Sequence, residues 1–77
     1  MRLRVLVGGR MVRDLKVPKH DRVKLSEGMA VLERKCERLG LEPMSVSIAG
    51  VDGLLESITR KTENGEEIIV VEFWENS

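Results

Sequence analysis

Seventy-seven residues, 42% hydrophobic and 34% charged with 13 basic and 13 acidic side chains, make one domain spanning 1–77 with a single small core. That balance excludes a disordered chain, and no apolar run approaches the roughly 20 residues needed to cross a bilayer. So short a chain buries too little apolar surface to enclose a catalytic cleft easily.

The charges are unevenly placed. Met1 to Lys24 holds eight basic residues against Asp14 and Asp21, whereas Glu63 to Ser77 holds five acids and no base. Gly8, Gly9 and Arg10 interrupt any apolar signal segment after the first arginines, so the expected location is cytoplasmic. The lone Cys36 has no disulfide partner and no second thiol for a metal. Gln is absent while Glu, Lys, Arg and Val abound, a usage in the direction found in thermophilic proteins.

Arg2 to Val7 alternates, with Leu3, Val5 and Val7 on one side and Arg2, Arg4 and Leu6 on the other, which is the period of a half-buried strand. Gly8-Gly9 supplies a two-residue hairpin turn. Arg10 to Val17 returns, placing Met11, Leu15 and Val17 together and Arg10, Val12, Asp14 and Lys16 opposite. Arg13 spoils the apolar side, which predicts an edge strand ended by Pro18.

Leu25, Met29, Leu32, Cys36 and Leu39 then follow helical spacing and form one apolar stripe. Asp21 or Ser26 is the expected N-cap, and Gly28 costs about 1 kcal/mol relative to Ala inside a helix. Gly40, Leu41 and Pro43 predict its end, with Lys35 and Arg38 set against the negative pole of the helix. Met44 to Ala49 reads as a short strand, Gly50 to Gly53 as a turn, and Leu54 to Thr62 as a strand or an irregular crossing segment. Asn64-Gly65 is the strongest hairpin signal. Glu66 to Trp74 is the clearest strand, and its Ile68-Ile69-Val70-Val71 run, apolar on both faces, predicts a central position.

The resulting class is α+β: a β-grasp-like mixed sheet of four to five strands, in ββαβ(β)β order, packed on one helix. Through Leu15-Lys16-Val17-Pro18, Asp21, Gly40-Leu41-Glu42-Pro43, Ile48-Ala49-Gly50 and Asp52-Gly53, the chain resembles ubiquitin-like β-grasp domains over nearly its whole length. The resemblance implies that the last strand lies centrally and parallel to the first. The family's carrier members end in Gly-Gly, whereas here Phe73-Trp74-Glu75-Asn76-Ser77 stands at that place, so docking to other proteins is the expectation that remains.

Two surfaces compete for a role. If the first and last strands are neighbours, Arg2 and Arg4 should meet Glu72 or Glu75, and the charge asymmetry becomes cross-strand pairing. Otherwise Arg2, Arg4, Arg10, Lys16, Lys19, Arg22 and Lys24 form a basic patch for nucleic-acid phosphates, although Phe73 and Trp74 leave almost nothing for base stacking. A one-helix sheet also leaves one face bare, where Leu6, Val12, Ile68, Val70 and Trp74 would form an apolar patch for a protein partner or a second copy.

The remaining residues carry no reaction. Gly8-Gly9 lacks the spacing of a phosphate loop, His20 lacks companion ligands, Cys36 falls on the apolar stripe, and Glu33 and Glu37 sit among Arg34, Lys35 and Arg38. No catalytic, cofactor or metal residue is assigned. The expected function is a small non-catalytic protein–protein interaction module using the open sheet face, with a small nucleic-acid-binding protein as the alternative.

Overall fold

A computed structural model describes residues 1–39 and 44–75, with the backbone alone for 36–39. Its strands are β1 (Arg2–Val7), β2 (Arg10–Lys16), β3 (Met44–Ile48), β4 (Val51–Glu63) and β5 (Glu66–Phe73), with the helix α1 (Arg22–Leu39) between β2 and β3. They form one mixed sheet in the order β2-β1-β5-β4-β3, packed on one helix. The class is the expected α+β, in ββαβββ order. As the apolar run requires, β5 is central, parallel to β1 and antiparallel to β4.

Cross-strand rows define the two faces. On the helix side Leu15, Leu3, Ile69 and Arg60 form one row, and Arg13, Val5, Val71 and Ile58 the next. The core is Leu3, Val5, Met29, Ile48, Leu55, Ile69, Val71 and Phe73, with Leu25 and Leu32 of α1 packed against it. Each such side chain contributes about 1.5–3 kcal/mol on full burial, so these few residues supply most of the fold's drive. Arg60 clamps the helix from its row. Its Nε lies 3.1 Å from Glu33 Oε1, while Nη1 donates to Ser26 Oγ at 3.0 Å and Nη2 to the Ser26 carbonyl at 3.3 Å.

Two register shifts alter what alternation predicts. In β2 the partners jump from Arg13 opposite Val5 to Met11 opposite Leu6, leaving Val12 as the extra residue of a bulge. Met11 therefore joins Leu6 on the open face rather than Leu15 on the helix side, a correction to strict period-2 counting. In β4 Glu56 is the extra residue between Leu55 and Ser57, so Leu55 and Ile58 both face the helix. This bulge explains the imperfect alternation of 54–62, which belongs to a continuous strand.

The ends of elements also differ from expectation. Gly50 to Gly53 is not the turn: Ala49 (φ 52°) and Gly50 (φ 80°) form it, and β4 begins at Val51. Of the two expected caps, Asp21 stands immediately before α1 and Ser26 does not. Asp21 closes a short 3-10 turn (Lys19–Asp21) and Ser26 lies inside α1, where it receives Arg60. The predicted cap at Gly40, Leu41 and Pro43 lies outside the described residues. Gly53 stands against Phe73, where an added Cβ would come within 3.1 Å of the ring. The register of β3 against β4 sets Met44, Val46 and Ile48 on the same side as Leu55, and Ile48 joins the core.

Candidate functional site

The open face divides into two halves of different chemistry. In the lower half the row Lys16, Arg2, Ile68, Lys61 lies beside Asp14, Arg4, Val70, Thr59. Arg2 reaches Asp14 at 3.0 Å and Glu66 at 3.1 Å, Arg4 reaches Glu63 at 3.5 Å and Asp14 at 3.7 Å, and Lys61 reaches Glu63 at 3.0 Å. Lys61, by hydrogen bond and by charge, then Arg4, hold the Glu63 carboxyl below its ordinary range.

Ile68 sits under this lattice and is only 2% exposed, although it lies outside the main core cluster. Its row neighbours are Arg2 and Lys61, whose aliphatic stems are the cover the sheet offers it. Ile68 is therefore not an exposed contact residue of the isolated chain, a correction to the expected patch. Nor do Arg2 and Arg4 pair with Glu72 or Glu75: β1 runs parallel to β5, which sets Arg2 opposite Ile68 and Arg4 opposite Val70, beside the acids of β2 and of the β4–β5 turn. The lattice is imperfectly satisfied, since Arg4 Nε and Glu66 Oε1 are buried without a well-oriented hydrogen bond.

The upper half is different. The row Met11, Leu6, Glu72, Ser57 lies next to Trp74, and Met11, Val12 and Trp74 are 53%, 37% and 54% exposed. Val70 and Leu6 are half-buried between the two halves. Trp74 is not a fraying end. Its N–H donates to the Leu54 carbonyl at 2.9 Å, the Gly8 N–H donates to the preceding Phe73 carbonyl at 3.1 Å, and Arg10 lies 3.7 Å from Glu75. The backbone is pinned on both sides while the indole stays wet.

Sequence reasoning reached Leu6, Val12, Val70 and Trp74 but missed Met11 and Glu72. Only the bulge turns Met11 to this face. Glu72 has no basic partner within 4.0 Å among the described residues, so an unpaired carboxylate lies amid the apolar groups.

The seven basic residues are not brought together. Arg2 and Arg4 belong to the lattice and Arg10 reaches Glu75, whereas Lys16, Lys19, Arg22 and Lys24 run from the end of β2 into α1 without an acidic partner among the described residues. Two clefts lie beside α1. One of about 460 Å³, lined mainly by Leu3, Leu25, Gly28, Met29, Leu32 and Ile48, separates α1 from the end of β3. The other, about 360 Å³, is polar and lies where Arg22 of α1 approaches Arg60, Lys61 and Glu67.

His20 is exposed, 3.6 Å from Asp21, and among the described residues no group of three or more His, Cys, Asp and Glu could hold a metal ion. The Cys36 side chain lies outside the described residues. No described helix is long and apolar enough to cross a membrane. No protein-family model matches the chain, and neither a curated protein nor a solved structure matches it.

Proposed function

We propose that this chain is a non-catalytic interaction module that docks a protein partner against the upper half of its open sheet face. The observation that carries the reading is Trp74, a half-exposed indole on a backbone pinned by β4 and the β1–β2 turn, one step along β5 from the row that holds Met11 and Leu6. A large side chain held rigidly in water loses little entropy on contact and gains much burial. Glu72 adds selectivity, because a partner that covers this face must bring a cation or donor to it or leave a buried carboxylate unpaired.

The test compares affinity capture by the native chain, Trp74→Ala and Val70→Lys, each first checked for unchanged far-UV circular dichroism. Partners retained by the native protein and lost by both variants support the reading. Equal retention by all three refutes it.

A second reading keeps nucleic acid as the ligand, supported by the unpaired Lys16, Lys19, Arg22 and Lys24. It places contact at the start of α1 and not on the hairpin face, where Arg2 and Arg4 already have carboxylates. Binding of duplex DNA or RNA that falls steeply with salt and is lost on charge reversal of Lys19 and Lys24 would favour it. Salt-insensitive or absent binding rejects it.

A further inference from the structure

Among the described residues the sheet ends at two edges, β2 and β3, and they are built differently. The β2 edge carries a bulge at Val12 and the side chains Arg10, Arg13, Asp14 and Lys16, all devices that discourage another strand from pairing. The β3 edge, Met44-Ser45-Val46-Ser47-Ile48, has no charge, no proline and no register shift against β4.

The hairpin turn fixes which of its backbone groups are free. A two-residue turn at Ala49-Gly50 makes Ile48 and Val51 a hydrogen-bonded pair, so Val46 with Gly53 and Met44 with Leu55 are bonded too. Ser45 and Ser47 are the alternate pairs, and their N–H and C=O groups point away from β4. The neighbouring strand agrees, since the carbonyl of Leu54, opposite Ser45, turns to Trp74. Ser45 and Ser47 are exposed and find no backbone partner on that side among the described residues.

These free groups are symmetric about Val46. We infer that β3 is the pairing edge for a second copy of this chain, joined antiparallel about a two-fold axis at Val46. Ser45 of each copy exchanges both backbone bonds with Ser47 of the other, Val46 faces Val46, and the two sheets become one of ten strands. No like charges meet along the seam, whereas the same operation centred on β2 would oppose Arg13 to Arg13. The axis is perpendicular to the sheet, so both Trp74 surfaces face the same side. If the docking face proposed above is correct, the dimer presents it twice and binds a repeated or surface-bound partner with avidity. The pairing itself does not depend on that reading.

An edge of five residues lies at the small end of interfaces, so the dimer forms at roughly 10⁻⁴ M and above. Sedimentation velocity over a concentration series tests it on the native chain, Ser47→Pro and Trp74→Ala. Proline at 47 removes an N–H that has no bond within the chain, so the fold is kept while the seam is broken. The expected result is a concentration-dependent dimer for the native chain and Trp74→Ala, and a monomer throughout for Ser47→Pro. A native monomer across the range, or a dimer abolished by Trp74→Ala but kept by Ser47→Pro, overturns the inference. Amide hydrogen exchange on the native chain gives a check without mutation. The Ser45 and Ser47 amides should slow by at least about tenfold on concentration, while that of Val46 is protected throughout. Free exchange at Ser45 and Ser47 at every concentration also overturns it.

Discussion

The lattice over Ile68 can stabilise the sheet through its charges or through its hydrocarbon stems, and substitution separates the two. Replacing Arg2 and Arg4 by Met keeps linear stems and removes both charges, whereas Ala removes both. The guanidinium groups are partly exposed and the pairs to Asp14, Glu63 and Glu66 run from 3.0 to 3.7 Å, geometry typical of contributions of about 0–1 kcal/mol each. One donor, Arg4 Nε, is buried without a good bond, and Met would relieve that cost. Burial of Ile68 is the larger quantity, about 1.5–3 kcal/mol for a side chain taken from full exposure to the 2% seen here.

Loss of the stems at 2 and 4 uncovers one side and the upper flank of Ile68 while Lys61 still covers the other. About half of that burial energy, ~0.8–1.5 kcal/mol, should disappear in the double Ala variant beyond any charge effect. The expected order in urea unfolding followed by circular dichroism is native and double Met within about 1 kcal/mol of each other, with double Ala less stable than double Met by ~0.8–1.5 kcal/mol. Equal losses in the Met and Ala variants would show that the charges hold the face together, and the stem argument would fail.

Three further outcomes follow from local geometry. Gly28 lies inside α1 with nothing within 4 Å of where a Cβ would stand, so Gly28→Ala should stabilise by about 1 kcal/mol and raise Tm by roughly 4–8 °C in a scan. A loss of stability would mean that the cleft beside it closes. Ala49 holds φ at 52°, so Ala49→Gly should stabilise by about 1 kcal/mol in the same urea assay, and no change or a loss would argue against strain at this turn. The lowered pKa of Glu63 stabilises the fold above the ordinary carboxylate range, and the contribution is lost as pH falls through the folded-state value. Glu63→Gln should therefore lower stability at neutral pH and flatten the acid limb of the stability profile. An identical acid limb in both proteins would remove Glu63 from the account.

Much of the fold is legible because alternation, helical spacing and two glycine-bearing turns act locally. Leu3, Val5 and Val7 face the core as their period requires, the Leu25-Met29-Leu32 stripe reaches it, and β5 is central because residues 68–71 have no polar side. What escapes is non-local. The bulges at Val12 and Glu56 insert one residue each without a glycine or proline to mark them, and each reverses the phase beyond it. The pairing of Arg2 and Arg4 depends on the register of β1 against β5, which no short-range pattern encodes. Ala49 conceals its turn because alanine rarely takes positive φ, so the stronger Asp52-Gly53 signal attracts the prediction two residues late. At the candidate site, Trp74 and Leu6 are readable from parity, Met11 only after the bulge, and the roofing of Ile68 only from side-chain reach.

The two faces of β5 show how this small chain covers a strand that is apolar on both sides. Ile69, Val71 and Phe73 are covered by the helix side and reach full burial, which the single core can just accommodate. On the other side no second layer is present among the described residues, and the cover comes from long charged stems where arginines from β1 and a lysine from β4 stand beside Ile68. Toward the end of the strand that supply stops. Beyond the bulge Arg10 stands opposite Val7 on the helix side, a correction to its expected place on the open face, and reaches Glu75; Met11 and Val12 are themselves exposed, and Glu72 breaks the apolar row. Trp74 thus stays wet because the charge-stem cover ends two rows below it, at Val70, and on the docking reading proposed above a partner's side chains would continue the roof from there. Extending the cover artificially, by Ser57→Arg beside Glu72, should pair that carboxylate, lay a stem toward Trp74, shift its emission to the blue in the isolated chain and weaken docking. An unchanged spectrum together with undiminished docking would show that the wet indole has another cause.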